Sequence, residues 1–311
     1  MAKIKRRFLR TQFSYLFRTY RQRRSWRHKL WILVEALVLL IRYCRLQVDL
    51  SFAPIPTTMH GKSCVVILLS HNRPQNLSIL VRGALRTGFV DKVVVSNSNK
   101  QVRIAEWIDE ADSRVLLIDE NRPTQPGHRL VLARQHGTRY IIALDDDIFL
   151  SPSEWQRLFE CLISDEAVPH GITGHIYRPG TQSSNGSSFH HVTGVEQEVD
   201  VLIGAYAFTS EHLERVFALA GAIGIRDVSQ VRNYDDILLS FAGVGQPRIH
   251  AIKPALLCAS ASLPGVALWK SDEQFWDERE RVFERVRDAR LAMRSPWSER
   301  PKQLSHKVRE S

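Results

Sequence analysis

The chain has 311 residues, 44% of them hydrophobic, which suits one large α/β domain with appendages and excludes a disordered protein. Its net charge of +10 is local: residues 1–29 hold eleven of the 43 Lys and Arg and no acid, leaving 32 basic against 33 acidic groups elsewhere. That balance argues against a broad nucleic-acid-binding face on the folded body, and no nucleic acid partner is expected, although the basic arm has the charge to grip nucleic acid or anionic lipid; Cys44, Cys64, Cys161 and Cys258, without C-x-x-C spacing, support neither a zinc site nor a disulfide framework.

The basic arm carries Phe13, Tyr15, Leu16, Phe17 and Tyr20, so part of it is expected to be helical. Leu30 to Ile41 is strongly apolar, broken by Glu35 and closed by Arg42. It is shorter than the roughly 20 residues that cross a bilayer. No small-residue cleavage site follows it, so a signal peptide is a poor fit. Two readings stay open. Residues 1–45 form a helix lying on an anionic membrane surface, or the helix packs on the folded domain or on a second subunit. A homo-oligomer is compatible with the second. Pro54, Pro56 and Gly61 mark a linker. The expected division is an arm at 1–60, an α/β domain at 61–270 and a charged C-terminal helix and tail at 271–311.

Ser63–Ser70 reads as the first strand, followed by His71-Asn72-Arg73-Pro74 and a helix over Gln75–Arg86. Val90–Val95 is the second strand, ending in Ser96-Asn97-Ser98-Asn99, and a helical turn is expected over Ile104–Ile108. Arg114–Asp119 is the third strand, Leu130–His136 a helix, and Tyr140–Leu144 the fourth strand. Strand and helix alternating in this way give a parallel sheet covered on both faces. No G-x-G-x-x-G and no P-loop motif is present, so those chemistries lose their usual support.

The fourth strand runs into Asp145-Asp146-Asp147. Adjacent carboxylates repel, and a divalent metal offsets that cost well. A solvent-facing acidic turn would have the same composition. The position decides for chemistry, because open α/β sheets bind ligands beyond the C-terminal ends of their strands.

Ser153–Ile163 is a helix, Gly171–Tyr177 a strand and Arg178–His190 a loop. Val199–Ala207 reads as one strand whose Gly204 implies a close backbone approach, and Ser210–Leu219 as a helix capped by Ser210. Asp235-Asp236 precedes an apolar run, so the pair either caps a helix or faces Asp145–Asp147 across a cleft; composition leaves these level. Pro247–Leu257 is extended, with His250 as a packed or surface histidine. Phe275–Met293 is a charged helix with a solvated face, and 294–311 a fraying tail.

These pieces together resemble the exostosin-like, retaining GT-A glycosyltransferases of glycosyltransferase family 64. The resemblance spans Ser63–Phe241: the first strand with His71-Asn72-Arg73, Val93–Asn97, Leu144–Asp147, Val201–Ala205 and Asn233-Tyr234-Asp235-Asp236-Ile237. It implies a GT-A fold, a nucleotide-binding α/β half with a mostly parallel central sheet joined to a smaller acceptor-side half. It implies a nucleotide-sugar donor, UDP-linked in most relatives, with Mn²⁺ or Mg²⁺. By the match, Asn72 and Arg73 lie by the nucleotide, Asn97 at the uridine, and Asn121 and Arg129 near base and diphosphate. Asp145 and Asp146 hold ribose and sugar, and Asp147 the metal. Asp236 lies beneath the sugar or near the acceptor, with Asn233 and Asp235 in support.

The sugar expected is an N-acetylhexosamine or uronic acid, moved with retention to a glycan or lipid-linked acceptor. Tyr234 stands where relatives usually have cysteine, and the C-terminal section with its Arg-rich helix aligns poorly with the family's final segment, where an acceptor-side arginine and a disulfide would be expected. The arm unlike a Golgi anchor suggests the cytoplasm or the cytoplasmic membrane face. A sugar-phosphate nucleotidyltransferase and a non-catalytic lipid- or polymer-binding protein are the competing readings. Deletion of residues 1–45 is expected to abolish vesicle binding and spare donor binding.

Overall fold

Four apolar runs form the parallel heart of the main sheet in the computed structural model, which describes residues 2–22, 26–55, 61–260 and 267–293. They are β1 (Cys64–Ser70), β2 (Val90–Asn97), β3 (Val115–Asp119) and β4 (Tyr140–Leu144), side by side in the order β3-β2-β1-β4. Their continuous apolar character follows from burial on both faces. Along β1, Cys64, Val66 and Leu68 enter one core layer and Val65 and Ile67 the other. The first layer is closed by α3 (Leu77–Leu85) and α5 (Pro152–Ser164). The second is closed by α4 (His128–His136), α6 (Ser210–Ala222), α7 (Asp235–Ser240) and α9 (Phe275–Ala292). The last of these follows the single turn α8 (Leu268–Ser271) and buries Val282, Phe283 and Val286, so it is part of this core.

Beyond β4 the sheet turns antiparallel. β11 (Ala205–Thr209) pairs with β4 and with β6 (His170–Gly171), and β12 (Arg248–Ile249) and β9 (Gln197–Glu198) complete the edge. A smaller antiparallel sheet joins β10 (Val201–Leu202), β7 (Thr173–Tyr177) and β8 (Phe189–Thr193). A further pair, β5 (Ile148–Phe149) with β13 (Leu256–Leu257), sits beside the acidic triplet. The mostly parallel half with a smaller second half is the expected architecture.

Three expectations need correction. Val199–Ala207 is two strands in different sheets, β10 and β11, because Gly204 turns the chain at φ +79°. Gly171–Tyr177 divides likewise, with β6 in the main sheet and β7 in the small one. The cap of α6 is Thr209, whose hydroxyl accepts from the His212 amide, and not Ser210. The 294–311 tail and residues 56–60 of the linker lie outside the described residues.

The N-terminal arm forms α1 (Ala2–Gln22) and α2 (Trp26–Phe52). Phe8 of α1 is wholly buried, stacked on Tyr43 at 5.1 Å and edge-on to Phe149 at 5.5 Å. From α2, Ile32, Leu39, Tyr43, Leu46 and Leu50 are buried along one stripe at helical spacing. The other sides expose Leu30, Trp31, Leu33, Leu37 and Ile41. Of the two readings of this helix, packing on the domain therefore accounts for one stripe only. No described helix is long and apolar enough to cross a membrane.

Candidate active site

Strand order reverses between β1 and β4, since β2 and β3 lie on one side of β1 and β4 on the other. The C-terminal ends of strands splay apart at such a point and leave a crevice for a ligand. Arg73 follows β1 and Asp145–Asp147 follow β4 there. The Arg73 guanidinium stands 2.7 Å from Asp146 and 3.3 Å from Asp147, and its Nε donates to Ser260 Oγ at 2.8 Å. The triplet backbone is tied down as well: Asn76 Nδ2 donates to the Asp146 carbonyl at 2.7 Å, and the Asp145 amide donates to the Gly204 carbonyl at 2.7 Å. A Cβ on Gly204 would lie 2.4 Å from Ile148 Cδ1, which identifies the close approach implied by the sequence.

The second acidic stretch forms the first turn of α7, so both open readings hold in part. Asp235 and Asp236 meet a helix N-terminus, and Asp235 also faces the triplet through an arginine. Arg129, only 8% exposed, stands 2.6 Å from Asp145 Oδ1 and 3.0 Å from Asp235 Oδ2, over the ring of Tyr206. Asp236 is gripped by Arg279 of α9, with Nη1 on Oδ1 and Nη2 on Oδ2, each at 2.8 Å. The Ile237 amide also donates to Oδ1 at 2.8 Å. Arg279 further donates to the Asn233 carbonyl, and Asn233 Nδ2 donates to Glu278.

Five carboxylates thus gather against three guanidiniums, leaving two formal negative charges in excess. Burial is the first cause of the response: it raises Asp146 and pushes Asp147 and Asp235 up to about 7, against the opposing pull of Arg73 and Arg129. A doubly charged cation fits this imbalance. Among the described residues no three His, Cys, Asp or Glu side chains are placed to cage one. A cation of the Mg²⁺ kind could be held here by one or two carboxylates, since it commonly keeps several waters in its shell.

The remaining expected residues separate into two groups. Asn72 and Asn121 are exposed on the loops after β1 and β3. Asn97 is 2% exposed and already committed: its Nδ2 donates to Asn99 O, Val102 O and Asp119 Oδ1, and its Oδ1 accepts from the Asn99 amide. It shapes the loop after β2, and a base contact from its side chain would displace one of these bonds. Arg279 was absent from the sequence expectations, which gave its helix a solvated face. The signal was present. Phe275, Arg279, Val282, Phe283 and Val286 share one helical stripe, so the arginine falls on the buried side.

Residues 63–288 match the family model of the glycosyl transferase family 64 domain. The match runs past Phe241, where the sequence resemblance stops, and takes in Arg279. No curated protein matches the chain. Among solved structures, a crystal structure of GalNAc-T7 with UDP, GalNAc and Mn²⁺ is similar with a TM-score of 0.43 at 12% identity, covering 64% of this chain. This chain spans 43% of the length of that one.

Proposed function

The chain belongs to glycosyl transferase family 64, and from that membership we propose that it moves a sugar from a nucleotide-sugar to a glycan or lipid-linked acceptor. The donor is UDP-linked, the sugar an N-acetylhexosamine or uronic acid, and the anomeric configuration is retained. The observation that carries this reading is the Arg129 bridge, which joins Asp145 of the triplet to Asp235 of α7 across one crevice. A site that holds polyhydroxylated groups needs several fixed carboxylates close together, and this bridge supplies the fixing charge.

In the reaction the bond between the sugar's anomeric carbon and the diphosphate oxygen breaks. The acceptor hydroxyl oxygen bonds to that carbon, and its proton passes to the departing diphosphate. Asp147 would hold a divalent cation, which would supply positive charge to that leaving group. Arg73 adds charge beside Asp146 and Asp147. Asp236 acts as an orienting and electrostatic group below the sugar. Both its oxygens are held by Arg279, and a carboxylate so engaged is a poor nucleophile, which favours same-face attack over double displacement.

The α1–α2 pair contributes a second, anionic-membrane contact. Its basic residues and the exposed apolar sides of α2 combine the two attractions that hold a helix at a bilayer surface.

The test is a panel of nucleotide sugars screened with Mn²⁺ for binding and slow donor hydrolysis. One UDP-sugar is expected to release UDP, with activity lost by at least 100-fold in Asp147→Ala at unchanged circular dichroism. Release of pyrophosphate would replace this reading with nucleotidyl transfer, and full activity of Asp147→Ala would remove the metal assignment.

A further inference from the structure

A glutamine in the middle of a basic, partly aromatic arm has no obvious task, and Gln12 would ordinarily face water. It is instead wholly buried. Burial of an amide costs free energy unless its groups are bonded, so where those bonds go identifies what the residue does. Gln12 Oε1 accepts the Ala259 amide at 2.8 Å, and Nε2 contacts Cys258 Sγ at 3.1 Å and Asn76 Oδ1 at 3.4 Å. All three partners lie within the packing around the acidic triplet. The Cys258 amide donates to the Asp147 carbonyl at 2.8 Å. Asn76 Nδ2 holds the Asp146 carbonyl. Cys258 Sγ lies 3.1 Å from Ser260 Oγ, the acceptor of Arg73 Nε.

One side chain of α1 therefore ties together the two segments that flank Asp146 and Asp147, the turn before α3 and the strand end after β13. Tyr15, one turn further along α1, is half-buried against the same group. Phe8, one turn earlier, anchors the helix on Phe149 of β5, four residues beyond Asp145. Gln12 lies outside the 63–288 match.

We propose that Gln12 is a positioning residue of the donor site, and that helix α1 is a structural wall of that site. The assignment rests on the donor reading given above. Gln12 sets the 258–260 segment, Ser260 fixes Arg73, and Arg73 fixes Asp146 and Asp147. Loss of the amide leaves the Asp147 carbonyl and Arg73 on a segment with one support fewer, and the geometry presented to a diphosphate loosens.

Gln12→Met tests this in the full-length chain, because it fills a similar volume and removes both hydrogen-bonding ends. Two readouts are taken: the Kd of UDP with Mn²⁺ by calorimetry, and the alkylation rate of Cys258 by N-ethylmaleimide, resolved by peptide mass spectrometry. Gln12→Met is expected to raise the Kd about tenfold and to speed Cys258 alkylation about tenfold, with a melting temperature within a few degrees of native. Phe8→Leu serves as the control. It loosens the packing of the same helix without touching these bonds, and its Kd is expected to stay within twofold of native.

An unchanged Kd in Gln12→Met overturns the proposal, and so does an equal loss in Phe8→Leu, which would reduce the effect to helix packing. Failure of native protein to bind any UDP would overturn the donor reading instead. The positioning of the segment is then judged on Cys258 alone, where equal alkylation rates in native and Gln12→Met protein overturn it.

Discussion

Asp235 is held between opposing influences whose balance sets a pH dependence. Burial is the largest and raises its pKa; Arg129 opposes this, and Asp236 and Asp145 add to it, leaving the carboxyl at about 7. A carboxyl raised in the folded state binds its proton more tightly there than in the unfolded chain. Its contribution to stability is therefore present at low pH and lost as pH rises from about 4 through about 7. Asp235→Asn removes the charge and keeps the shape. It should stabilise the protein by ~1–2 kcal/mol at pH 8, well below the full shift at 1.36 kcal/mol per unit because Arg129 loses one ion-pair partner. At pH 5 the gain should largely vanish. Urea denaturation at both pH values checks this, and equal destabilisation at both would show that Asp235 is stabilised as an anion. Functional carboxylates that weaken the fold at neutral pH are a common cost of a charged site.

The turn between β10 and β11 shows the same competition within an element. Gly204 turns the chain from the small sheet into the main one, packs under Ile148 and presents its carbonyl to the Asp145 amide. Alanine at this φ of +79° costs about 1–2 kcal/mol in backbone strain. Its Cβ against Ile148 adds about 1–3 kcal/mol of overpacking. Gly204→Ala should accordingly destabilise by ~2–5 kcal/mol. Adding Ile148→Val, which deletes the clashing methyl, should recover part of that loss. A double-mutant cycle by urea denaturation measures the coupling, and strict additivity would remove the steric part of the argument.

This turn also marks where the sequence stops being informative. β1 to β4 are legible because burial on both faces makes each a continuous apolar run with polar residues at its end. The Val199–Ala207 segment has the same apolar composition, and only the dihedral angles of Gly204 divide it between two sheets. The acids at 145–147 and 235–236 are legible for a similar reason, as charges abutting apolar elements. Their pairing is not. Arg129 lies 106 residues before Asp235 and Arg279 lies 43 after Asp236, so the bridges exist only once the chain has packed. Gln12 is the extreme case, 246 residues from Cys258.

At the scale of the whole molecule, the N-terminal helices face two ways. Their inner side carries Phe8, Gln12, Leu46 and Leu50, each at 2% exposure or less. Deletion of residues 1–45 would remove Phe8, Gln12, Ile32, Leu39 and Tyr43 from the core, so it does not separate vesicle binding from folding. The outer side of α2 is the part that can be tested separately. Leu33, Leu37 and Ile41 are 61%, 58% and 58% exposed at a spacing of four residues, which places them along one face.

An apolar face of this kind on a helix with a basic flank gains on the order of 1 kcal/mol per half-buried side chain at a bilayer, added to attraction for anionic headgroups. Leu33→Asp, Leu37→Asp and Ile41→Asp combined should abolish sedimentation with phosphatidylserine-containing vesicles and leave Mn²⁺-dependent UDP binding within twofold of native. Native protein should bind these vesicles less as salt rises and bind phosphatidylcholine vesicles weakly. Equal sedimentation of native and triple-substituted protein would reject the lipid surface. A native dimer that the substitutions convert to monomer, with no lipid binding, would assign the face to a second copy of the chain.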